Sequence, residues 1–170
     1  MKVAHYIGNH RKDTLSVRLG WALTRLVQWG PHKHVTHSEA ILAEFADGSV
    51  LIASSSARDG GVRIKRVKLN PDHWLIIDVP GWDVQKSCDW FNAHKGLPYS
   101  WIGALKAGMP ILSFLPSGNG AFCNQAVGAA HITGSDLFTP AEFATICIDN
   151  GTDVTAEFFA NQARLIQGEV

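Results

Sequence analysis

Cys123 lies in Ser117-Gly118-Asn119-Gly120-Ala121-Phe122-Cys123-Asn124-Gln125-Ala126, a glycine-bearing loop that runs directly into a helical pattern. At a helix start the unpaired amides and the positive end of the dipole stabilise a thiolate, the reactive form of this side chain. The same amides can receive the oxyanion formed when a thiolate attacks a carbonyl. Taken alone, the segment fits a small core residue at least as well, because free cysteine is among the most buried residue types.

A nucleophile of this kind needs a base, and the candidates lie in Gly30-Pro31-His32-Lys33-His34-Val35-Thr36-His37-Ser38-Glu39-Ala40-Ile41-Leu42. On a strand His37, Glu39 and Ile41 point to one face. A two-residue Asp47-Gly48 turn places Arg58, Ser56 and Ser54 across from them, unless a bulge shifts the register. One face at the strand start then carries an imidazole, a carboxylate and a hydroxyl from Ser56, a base with an orienting acceptor. The competing reading makes His37 a surface or core histidine and pairs Glu39 with Arg58 or Arg63. A zinc site built from His34, His37 and Glu39 is disfavoured, because His34 and His37 face opposite sides of a strand and no HExxH pair occurs. No metal and no organic cofactor is expected.

These residues need elements to hold them. Asp13 to Trp29 reads as a helix, with Leu15, Leu19, Leu23 and Leu26 in its apolar stripe and Gly30-Pro31 at its end. The period then becomes strand-like. Val35 to Phe45 and Val50 to Ser56 form an expected hairpin, Val62, Ile64 and Val67 mark a third strand, and Trp74 to Val79 a fourth. Helices are expected over Val84 to His94, Ser100 to Ala107 and Phe122 to Ala130, with Met109 to Gly120 a loop. Thr139 and Glu142 form a capping box around Pro140, opening a helix through Ile148. Val154 to Ile166 is the last helix. The pattern is α+β: an antiparallel β-meander packed against helices, in a single domain over residues 1–170.

Composition narrows the function classes. Lys+Arg 15 balances Asp+Glu 15, and the basic run Arg63 to Lys68 alternates with apolar residues as a half-buried strand does, so nucleic acid is not an expected partner. No run of about 18 apolar residues occurs, and the first residues lack a secretory pattern, so no integral membrane segment and a cytoplasmic location are expected. Three cysteines, Cys88, Cys123 and Cys147, form no CxxC pair and argue against a disulfide framework. The oligomeric state is left open.

Thr36-His37-Ser38-Glu39, the Asp47-Gly48 turn, the run Ser54 to Arg63 and the late Phe122-Cys123-Asn124-Gln125 together resemble circularly permuted papain-like cysteine hydrolases of the NlpC superfamily. In these the His-bearing strand precedes the Cys-bearing helix. Tyr99-Ser100-Trp101-Ile102-Gly103 and Thr139-Pro140 are similar to the same pattern, which covers roughly residues 30 to 145. The chain departs from it in having Asn124-Gln125 after the cysteine and Ser38-Glu39 after the histidine. The resemblance implies Cys123 as nucleophile, His37 as general base, and Glu39 or one of Ser54, Ser55 and Ser56 as the third polar member. It implies an amidase or peptidase acting on an amide, as in cell-wall peptides. The alternatives are a lipid acyltransferase or thioesterase on an acyl ester, for which the Met109 to Pro116 loop could line an apolar groove, and a non-enzymatic binding module such as a phage tail component.

Overall fold

The computed structural model describes residues 1–7, 32, 34–112, 114–116 and 118–168. The helix expected over Asp13 to Trp29 lies outside them. Strands β1 (Lys2–Tyr6), β2 (His37–Glu44), β3 (Val50–Ser56), β4 (Gly61–Val67), β5 (Trp74–Asp78) and β6 (Thr152–Asp153) form one antiparallel sheet in the order β4-β3-β2-β1-β5-β6. Helices α1 (Val84–His94), α2 (Trp101–Gly108), α3 (Cys123–Gly128), α4 (Pro140–Asn150) and α5 (Thr155–Gln167) complete the α+β architecture. Among the described residues no helix is long and apolar enough to cross a membrane.

The sheet buries both faces. Val3, Ala40, Ala53 and Ile77 pack against Phe91 of α1, Val127 of α3 and Phe143 of α4, while Ala4, Ile41, Ile52 and Ile76 pack against Phe158 of α5. Period-two alternation in the strands sends neighbouring residues to these two cores. Cys147 is a core residue of α4, fully buried, and burial pushes its thiol up to about 12.

Two expectations are corrected. The four strands are not a simple meander, because β1, unforeseen in the sequence, pairs with β2 on one side and β5 on the other. The chain therefore crosses from the edge strand β4 to the far side of β1. The hairpin register also differs: Ile41 faces Ile52 rather than Ser54. Two one-residue shifts add up to this. Phe45 N–H donates to Ser49 O at 2.9 Å and Gly48 N–H to Phe45 O at 3.0 Å, closing a three-residue loop with Gly48 at φ +75°, and a bulge falls between Ile41 and Ala43.

One link ties the sheet to the cysteine loop. Gly61, at φ +149°, approaches Leu97 so closely that a Cβ there would stand 1.9 Å from its carbonyl oxygen. Any side chain is excluded. From this contact Tyr99 N–H reaches Gly60 O at 3.2 Å, Ala121 N–H reaches Pro98 O at 3.1 Å, and Ser100 N–H reaches Ala121 O at 3.0 Å. The strand therefore carries the entry of α3.

β1 also places an unusual group in the helix-side core. His5 is fully buried, its Nδ1 lies 3.0 Å from Ser38 Oγ, and its Nε2 has no hydrogen-bond partner among the described residues. Burial, with a smaller repulsion from His32, holds its pKa at about 3, against 6.5 for an ordinary histidine. Between those values the unfolded chain binds the extra proton, so stability falls as pH drops through that window. Urea unfolding is expected to show roughly 3 kcal/mol less stability from this group at pH 4 than at pH 7. His5→Gln should shrink that acid loss; an equal loss in both proteins excludes His5 as its source.

Candidate active site

Cys123 opens α3, a helix of small residues. Ala126, Val127 and Gly128 are buried, and a Cβ on Gly128 would meet Phe143 at 3.0 Å and Ser135 at 2.9 Å, so the helix packs close to α4. Its start is fixed to β3 by two fully buried hydroxyls. Ser55 Oγ donates to Ala121 O at 2.6 Å, and Ser54 Oγ is 3.5 Å from Cys123 O and donates to Ser38 O at 2.7 Å. In its neutral form the Cys123 thiol donates to Asn124 Oδ1 at 3.4 Å. Only 1% of Cys123 is exposed.

His37 begins β2, also buried. Its Nε2 lies 2.8 Å from Glu39 Oε1. An ionised carboxylate only accepts, so Nε2 carries the proton and Nδ1 is the nitrogen left for a second partner. The Cys123 side chain is within hydrogen-bonding reach of the ring. Burial alone lowers the basicity of His37, but the charge of Glu39 and the hydrogen bonds that the charged ring donates to Cys123 and Glu39 outweigh it and raise the pKa from 6.5 to about 9.

Glu39 is 2% exposed and sits between two cations. Arg63 on β4 grips it through both terminal nitrogens, one 2.7 Å from Oε2 and the other on Oε1. Arg63 Nε also donates to Asp59 Oδ2 at 2.8 Å, and Lys65 Nζ reaches the same oxygen at 2.6 Å. Burial opposes the charge on Glu39, but His37 and Arg63 prevail and hold its carboxyl well below the usual range. The two readings of Glu39, partner of His37 or partner of an arginine, are therefore both realised, and Arg63 is the positioning residue that the sequence reading treated only as a competitor.

Ser56 is separated from its neighbours. It is nearly buried, lines a cavity shared with His37 and Glu39, and its Oγ accepts from Asp59 N–H at 3.4 Å. Ser54 and Ser55 hold the backbone of the cysteine loop instead. Among the described residues no group of three His, Cys, Asp or Glu side chains could hold a metal ion.

The cavity beside His37 measures about 320 Å³, the lower end of small-molecule sites. The sequence reading missed its aromatic wall, because that wall depends on β1. Tyr6 pairs with His37 on one side and Trp74 on the other, and its ring meets Trp74 edge-on at 5.1 Å. The Met109 to Pro116 loop lies elsewhere: Ile111 and Phe114 are 78% and 76% exposed. No protein-family model, curated protein or solved structure matches the chain.

Proposed function

We propose that the protein is a cysteine-dependent hydrolase of permuted papain-like architecture, an amidase or peptidase with Cys123 as nucleophile, His37 as acid and base, and Glu39 as the residue that orients the ring. The observation that carries this reading is the contiguous line from Glu39 through His37 to Cys123. A thiolate beside a protonated imidazole attacks the substrate carbonyl, and the first amides of α3 receive the oxyanion. His37 then gives its proton to the departing nitrogen as the carbon–nitrogen bond breaks. Water adds to the acyl-enzyme, His37 takes its proton, and the carbon–sulfur bond breaks to release the acid and restore the ion pair.

The test is turnover of a peptide amide and of a short acyl ester, with intact-mass detection of an acyl group on Cys123. Amine release lost in Cys123→Ala supports the amidase. Exposed Ile111, Phe114 and Leu137 favour a second reading, a thioesterase or acyltransferase on lipid chains. Turnover of the ester alone selects it. An unacylated Cys123 with no turnover of either substrate leaves a binding module.

A further inference from the structure

Helix α2 is apolar on both sides. Its buried side is made of Gly103, Ala104 and Ala107, the two alanines packing with Phe122. Helical spacing puts Trp101, Ile102 and Leu105 on the other side, and Met109 continues that row; all but the half-buried Leu105 are exposed. A surface helix in water carries its polar side chains there, and the only charged one in α2 is Lys106.

The turns beside α2 extend this surface. Lys106 Nζ donates to Leu115 O at 3.0 Å and Leu115 N–H to Leu112 O at 3.0 Å, so the chain carrying Ile111 and Phe114 is tied back to the helix. The turn Ser135–Leu137 also lies against α2. Among the described residues, six of the nine exposed large hydrophobic side chains fall on these segments: Trp101, Ile102, Met109, Ile111, Phe114 and Leu137. Something apolar must cover them.

Area and charge decide what. With roughly 150–250 Å² for a whole aromatic side chain and less for an aliphatic one, these partly exposed groups present on the order of 600 Å². That exceeds an ordinary monomer's stray apolar surface but falls short of the roughly 800 Å² that each partner buries in a stable protein complex. Residues 90–135 contain no Asp or Glu, and Lys95 and Lys106 are their only lysines or arginines. A face without carboxylates meets no repulsion from anionic headgroups. The next carboxylate, Asp136, lines a cavity of about 450 Å³ together with Leu137, Gly103 and Phe122.

We propose that this face docks on a lipid bilayer, with Trp101, Ile102, Ile111, Phe114 and Leu137 inserted at the boundary between headgroups and acyl chains. The protein then lies on the membrane without spanning it, held by buried apolar area, with Trp101 at the depth where indole rings are favoured. Docking goes beyond the hydrolase reading and does not depend on it.

The test is sedimentation of the whole chain with vesicles of equal parts phosphatidylcholine and phosphatidylglycerol. Binding is expected, and it should survive concentrated salt, which screens charge but spares apolar burial. Ile111→Asn combined with Phe114→Asn should weaken it roughly a hundredfold, since burying each large apolar side chain is worth about tenfold or more. Both positions are exposed, so the urea midpoint of this variant should match the parent's. Brominated phosphatidylcholine in the same vesicles should quench the protein's fluorescence, and Trp101→Phe should remove most of that quenching while binding persists. No vesicle binding, binding lost in concentrated salt, or binding untouched by the double variant overturns the proposal. A solution homodimer that the double variant breaks, with no vesicle binding, gives the face to a second copy instead. Cys123→Ala should bind vesicles as the parent does, so failure of the hydrolase reading and failure of docking are read separately.

Discussion

His37→Ala is expected to slow alkylation of Cys123 by iodoacetamide at pH 6 by roughly a hundredfold. The direction is informative because Cys123 is only 1% exposed. Removing an imidazole next to a buried sulfur opens space, so access alone predicts a faster reaction. Loss of the positive ring predicts a slower one. At pH 6 the ring is charged, since Glu39 and Cys123 raise its pKa to about 9 against the opposing effect of burial. Cys88 serves as the control within the same chain: partial burial and Asp89 push its thiol up, so it stays protonated and slow. Peptide mapping after partial labelling gives both rates from one sample. The advantage of Cys123 over Cys88 should decline as pH rises past about 9 and His37 loses its proton. An unchanged or faster Cys123 in His37→Ala ends the paired-nucleophile idea.

Much of this arrangement is legible in the sequence where one local signal decides. Val50–Ser56 and Val84–His94 match the expected bounds, the helix because Asp83 accepts from Gln85 N–H and Lys86 N–H at its start. The capping box of Thr139 and Glu142 forms as the spacing predicts. The shared face of His37 and Glu39 follows from alternation and needs no register. What depends on partners far along the chain is not legible. β1 is five residues with a lysine and a histidine, and only Ala40 and Ile77 on either side of Val3 make it a central strand. The row Trp74, Tyr6 and His37 was hidden with it. The three serines 54–56 are chemically identical in the sequence, and their different tasks depend on which carbonyl or amide each one meets.

Glu39→Ala should be the most damaging single change in stability, by roughly 3 to 5 kcal/mol in urea unfolding at pH 7. The carboxylate accepts hydrogen bonds from both the His37 and the Arg63 side chains. Without it His37 can shed its proton, but Arg63 cannot, so a partly buried guanidinium keeps, among the described residues, only its Nε bond to Asp59. Glu39→Gln keeps the shape, removes the charge, and is expected to cost less. Adding Arg63→Met to Glu39→Gln then removes the stranded cation and should restore part of the lost stability, because an apolar pair of similar volume avoids the desolvation of the ion pair. Reactivity follows a different course. The ring still lacks its carboxylate in the double variant, so His37 regains neither its raised basicity nor its orientation, and Cys123 alkylation at pH 6 should stay slow while stability recovers. Parallel recovery of both would make Glu39 a structural residue only. Recovery of stability alone separates its two tasks: holding Arg63 in the fold, and holding the proton of His37 at Nε2.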